Sequence, residues 1–62
     1  LRAALDPALG AVLSAIHRAP ERDWQVEDLA RIAALSRSAF ATRFTEVLGQ
    51  SPGAYVLRQR LH

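Results

Sequence analysis

Apolar residues recur along the chain at helical spacing in four separate runs. Leu9, Val12, Leu13 and Ile16 form the stripe of a first helix. Asp6-Pro7 marks its start. An aspartate N-cap accepts from an otherwise unpaired backbone N–H, and a proline at the first helical position has no N–H to leave unpaired. Gly10 weakens this helix by about 1 kcal/mol relative to alanine. Ala19-Pro20 ends it, because proline disfavours a helical conformation in the residue before it. The polar Glu21-Arg22-Asp23 then reads as a loop.

A second helix is predicted over 25–33. Trp24 and Leu29 stand at the two places of a hydrophobic staple, and Glu27 and Asp28 put negative charge in the first turn, where the helix dipole favours it. A tight break follows at Ala34-Leu35. Ser36 caps a third helix over 36–48, in which Phe40, Phe44, Val47 and Leu48 share one face. Ser38, Thr42 and Thr45 fall on the opposite face, with Ala41 to one side, Arg37 in the first turn and Arg43 on the flank. Gly49 suits a left-handed helix end, and Ser51-Pro52 repeats the cap-plus-proline start. A fourth helix over 51–61 carries Tyr55, Val56, Leu57 and Leu61 and is expected to run on towards His62. With helices near 6–18, 25–33, 36–48 and 51–61, the fold class is all-α: a homeodomain-like three-helix unit followed by a fourth helix. Two short helices joined by so few residues as Ala34–Ser36 must cross steeply. That is a helix-turn-helix, whose second helix stands out where DNA can meet it.

Size and composition narrow this picture. Sixty-two residues, half of them apolar, make one small folded domain. A chain this short buries only about 60% of its unfolded surface, so marginal stability is expected. It has no cysteine to staple it or to bind a metal. No apolar run approaches the roughly 20 residues of a membrane span. Leu1–Leu5, broken by Asp6-Pro7, is too short for a signal peptide. A cytoplasmic location is therefore expected.

Charge is unevenly spread. Residues 1–35 carry four arginines against five acidic residues, whereas residues 36–62 carry four arginines against Glu46 alone. The positive excess lies in the half that holds the third helix, and a basic face attracts phosphate. All eight basic residues are arginine, whose forked guanidinium suits phosphate and guanine.

Other chemistry finds little material. His17 and His62 alone do not make a metal site. His17 sits in the last turn of the first helix, where a cation suits the dipole. Asp6, Glu27 and Asp28 are explained as caps and first-turn charges, so nothing positive points to a carboxylate pair for acid–base work. Trp24 reads as a core residue, and no glycine-rich phosphate loop is present. Neither an enzyme nor a cofactor is expected.

The order Leu29-Ala30, Ser36-Arg37-Ser38, Phe40, Arg43-Phe44, Gly49, Ser51-Pro52, Tyr55 and Arg60-Leu61 resembles the first half of the DNA-binding domain of AraC/XylS-type bacterial transcription regulators. Ile16-His17, Pro20 and Trp24 fit the lead-in, so the resemblance covers about Asp6 to Leu61. It implies a domain of two helix-turn-helix units joined by a linker helix, of which this chain holds the first unit and the start of the linker. A second unit and a sensor domain are implied in the parent protein.

The resemblance also implies the partner and the site residues. The partner is double-stranded DNA, with RNA polymerase as a further candidate. The third helix would enter the major groove by its N-terminal half. Ser38, Ala41 and Thr42 match base-facing positions, and Ser36, Arg37 and Arg43 are expected at phosphates. Three departures stand out. Thr42 replaces a commonly basic residue, Ala34 stands where glycine is common, and Gln59 takes a usually apolar place in the linker helix. If Ala34 is left-handed, its backbone is strained. The rival reading is a protein–protein interaction or dimerisation module, because three short helices cannot cover Tyr55, Val56, Leu57 and Leu61 together.

Overall fold

The computed structural model describes residues 6–61. The helices are α1 (Pro7–Arg18), α2 (Val26–Ala33), α3 (Arg37–Leu48) and α4 (Pro52–Arg60). Among the described residues there is no strand. Each helix begins one residue inside the range expected for it, because Asp6, Gln25, Ser36 and Ser51 are extended N-caps. The fourth helix stops at Arg60 with Leu61 as its cap, short of the run expected towards His62. His62 and the segment Leu1–Leu5, judged above as too short for a leader, lie outside the described residues.

Local hydrogen bonds explain the starts. The Asp6 carboxylate accepts from the N–H groups of Ala8 at 3.1 Å and Leu9 at 3.3 Å. Ser36 Oγ accepts from Ala39 N–H and Ser51 Oγ from Ala54 N–H, each at 3.2 Å. At α2 the Asp28 carboxylate reaches back to accept from Gln25 N–H at 3.0 Å. It satisfies a donor at the start of the helix where glutamine is a poor cap.

One core joins all four helices. Leu9, Val12 and Ile16 of α1 meet Leu29, Ala30 and Ala33 of α2, Phe40 and Phe44 of α3, and Val56 of α4. The Phe40 and Phe44 rings lie 5.6 Å apart, and Tyr55 meets Phe44 edge-on at 5.7 Å. Such tilted and edge-to-face pairs are favoured by the ring quadrupoles. Trp24 and Leu29 both join this core. The Trp24 indole N–H donates to Ala19 O at 2.9 Å, and the Arg22 guanidinium lies 4.2 Å over its ring. These contacts tie the loop after α1 to the start of α2.

Helix α4 divides the apolar residues that the sequence could not cover together. Val56 is buried and Tyr55 half-buried, whereas Leu57 is 58% and Leu61 79% exposed. Gln59 is half-buried. A hydrogen bond of 2.8 Å joins Tyr55 Oη to His17 Nε2, so His17 ties the end of α1 to α4. Burial pushes the Tyr55 phenol above its ordinary pKa, which keeps it protonated.

The turn between α2 and α3 rests on Ala34, whose φ of 58° and ψ of 38° are left-handed. Leu35 N–H donates to Ala30 O at 3.0 Å and closes it. The alanine noted as standing where glycine is common thus carries the strain that its Cβ imposes in this conformation. The strain is tolerated because α2 and α3 are each anchored in the core on either side.

Candidate nucleic-acid interface

The periodicity of α3 builds its outer face. Phe40 and Phe44 are buried one turn apart, so residues offset by about half a turn must point away from the core. Ser38, Thr42, Thr45 and Glu46 are exposed and Ala41 is half-buried. Two shallow open depressions run along this face. One, of about 460 Å³, lies between Leu35, Ser38, Ala39, Thr42, Arg43 and Glu46. The other lies between Ala41, Thr42, Thr45 and Glu46. The three residues expected to face bases therefore share one accessible surface.

Their hydrogen-bonding capacity differs. Among the described residues, neither the Ser38 nor the Thr42 hydroxyl is bonded within the chain, so each can donate or accept. Thr45 Oγ1 donates to Ala41 O at 2.8 Å, which commits its proton to the helix backbone. Ser36 Oγ accepts from Ala39 N–H as the cap, and its hydroxyl proton remains available to an oxygen acceptor.

Both arginines expected at phosphates face a carboxylate of another helix. Arg37 Nη1 lies 3.6 Å from Glu27 Oε2, across the turn on α2. Arg43 Nε donates to Asp6 Oδ2 at 2.7 Å, which links α3 to the cap of α1. The Arg37–Glu27 pair is exposed on both sides and contributes little stability, whereas the Asp6 carboxylate is largely covered and its shorter, charge-assisted bond to Arg43 is the stronger of the two. Asp6 thus holds two jobs, of which the sequence revealed only the cap. The Arg43 hydrogen bond is the main reason its carboxyl lies below the usual value of 3.8, helped by the N–H groups of Leu9 and Ala8 and opposed by partial burial.

A depressed carboxylate pKa stabilises the folded chain above the unfolded value, and that stabilisation is lost as pH falls through the folded value. Thermal melts of Asp6→Asn, which keeps a good cap, are therefore expected to lose less stability than wild type on acidification below about pH 5. Parallel acid profiles for the two proteins would show that the Arg43 pair does not bias this titration.

The outer face holds one further residue, Glu46, which the sequence marks only as a charge. Glu46 follows Thr42 by one helical turn, and that four-residue step was the signal available for placing it beside Thr42. Among the described residues, no group of three or more His, Asp or Glu side chains gathers as a metal site. No described helix is long and apolar enough to cross a membrane.

The family model for bacterial regulatory helix-turn-helix proteins of the AraC family matches residues 16–57, more than half of the chain. The chain belongs to the AraC family. An AraC-like transcription regulator described from Streptomyces lividans is 46% identical over 56 residues, covering 90% of this chain and 18% of that protein. The HTH-type transcriptional regulator AlkR of Acinetobacter baylyi is 44% identical over 61 residues, covering 98% of this chain and 20% of that protein. The RCS-specific HTH-type transcriptional activator RclR of Escherichia coli is 44% identical over 57 residues, covering 92% and 20%. The chain thus spans about a fifth of the length of these AraC-family relatives. No solved structure gives a significant match. The AraC-family match takes in the rest of α1 from Ile16, all of α2 and α3, and most of α4. Asp6, which holds Arg43, lies outside it.

Proposed function

We propose that this chain binds double-stranded DNA as part of a bacterial transcription regulator, with α3 in the major groove. The observation that carries the reading is the outward face of α3, where Ser38, Ala41 and Thr42 share an open surface while Phe40 and Phe44 anchor the helix. Membership of the AraC family and the printed names of the relatives, regulators and an activator of transcription, support it. Ser38 and Thr42 hydroxyls would meet base-edge donors or acceptors, and the methyls of Ala41 and Thr42 would meet a thymine methyl. Arg37 and Arg43 would leave Glu27 and Asp6 for phosphates and fix the register of the helix on the duplex. Ser36 and the first amides of α3 would hold a further phosphate. The parent regulator would work in the cytoplasm, with a second helix-turn-helix unit, a sensor domain and RNA polymerase as its further partners.

The salt dependence of duplex binding by the full-length protein tests this. Arg37→Ala and Arg43→Ala are each expected to weaken binding on all sequences alike. Each should reduce the slope of log affinity against log salt by about 0.9, the value for one phosphate contact. Unchanged slopes in both variants would remove the phosphate role, and absence of duplex binding by the wild type would remove the function itself. The exposed Leu57 and Leu61 support a second reading, an interaction or dimerisation module. In that case self-association should be strong and indifferent to both arginine substitutions.

A further inference from the structure

We infer that Glu46 reads the exocyclic amine of cytosine in the major groove and supplies base preference on a helix that carries no other charged acceptor. The inference rests on α3 being the DNA-facing helix. Glu46 is exposed and lines both depressions of the outer face, beside Ser38 and Thr42 in one and Ala41 and Thr45 in the other. It is the only acidic residue of α3.

The arrangement around it leaves that carboxylate unpaired. Arg43, three residues earlier, is its natural partner on the helix surface. The Arg43 guanidinium is instead turned to Asp6 at 2.7 Å in the free chain and is taken up by a phosphate in the proposed complex, and among the described residues no cation pairs with Glu46. Thr45, its neighbour, donates its hydroxyl hydrogen bond to Ala41 O, so that donor is not turned to Glu46. The side chain therefore reaches the groove as a bare anion.

An unpaired anion close to DNA is repelled by the phosphates unless a donor on the bases receives it, and such repulsion rejects the wrong sequence as effectively as an attraction selects the right one. Guanine presents two acceptors on the major-groove edge, and thymine presents an acceptor and a methyl. Adenine presents an amine beside the N7 acceptor. Cytosine alone presents the amine without an acceptor of its own. Glu46 lies one turn beyond Thr42, a rise of about 6 Å, so the two side chains address different base pairs.

The test is selection of binding sites from randomised duplexes by the full-length protein as wild type, Glu46→Ala and Glu46→Gln. Glu46 is exposed and unpartnered, so both variants should keep the wild-type circular dichroism. Wild type is expected to enrich cytosine at one position by about tenfold, the size of a single base-contact effect. Glu46→Ala should lose that preference and keep the others. Glu46→Gln should shift it towards adenine, whose amine and N7 match a carboxamide. Retention of every base preference by Glu46→Ala would overturn the inference, even with a uniform rise in affinity, because the carboxylate would then merely repel phosphate. Failure of the wild type to enrich any sequence would instead remove the DNA reading on which the inference rests.

Discussion

Phe44→Ala is expected to unfold the chain at 25 °C. The side chain is wholly buried between Phe40 and Tyr55, and its ring joins α3 to Tyr55 of α4 within the core. Truncating a buried phenylalanine to alanine costs about 3–5 kcal/mol. A single core in a domain of this size rarely supplies more than about 3–5 kcal/mol in all. The substitution therefore takes essentially the whole stability of the fold. Circular dichroism should show the helical signal collapse, whereas Phe44→Leu, which fills most of the site, should remain helical with a lowered Tm. A cooperative melt within a few degrees of wild type for Phe44→Ala would mean that the aromatic core is not what holds α3.

Ala34→Gly is expected to raise Tm. The left-handed backbone at φ 58° costs an alanine about 1–2 kcal/mol that glycine does not incur. Glycine gives back about 0.4–1 kcal/mol through the greater freedom of the unfolded chain. The net gain of about 0.5–1 kcal/mol corresponds to roughly 4–8 °C in a domain this small. The adjacent residue supplies the control. Ala33 is the buried last residue of α2, in right-handed conformation, so Ala33→Gly should lower Tm through its cost of about 1 kcal/mol within a helix. Opposite signs for the same chemical change at neighbouring positions isolate the backbone of the turn. A lowered Tm in both variants would show that Ala34 is not strained.

The elements legible in the sequence are those that depend on near neighbours. Asp6-Pro7, Ser36 and Ser51-Pro52 mark helix starts because a cap bonds two or three residues ahead. The stripe of Phe40 and Phe44 marks the buried side of α3 because helical spacing decides it. The strain at Ala34 was legible only as a condition, since the glycine that the family resemblance implies for this turn hints at a left-handed residue without showing that this chain keeps it. Features that join distant segments were not legible. Arg43 meets Asp6 across 37 positions, and Tyr55 meets His17 across 38. Such pairs follow from how helices cross, and nothing in the local pattern says which arginine finds which acid. The same limit applies to α4, where spacing alone did not say that Val56 would turn inward and leave Leu57 and Leu61 outside.

The bridge from Asp6 to Arg43 couples titration to occupancy. If the guanidinium leaves for a phosphate, the aspartate it abandons holds its proton more tightly than before, because the main influence lowering its pKa has gone. The bound form then carries more protons than the free form at a pH in the ordinary aspartate range and below it. Acidification would favour the occupied duplex over the empty protein, through a residue at the far end of α1.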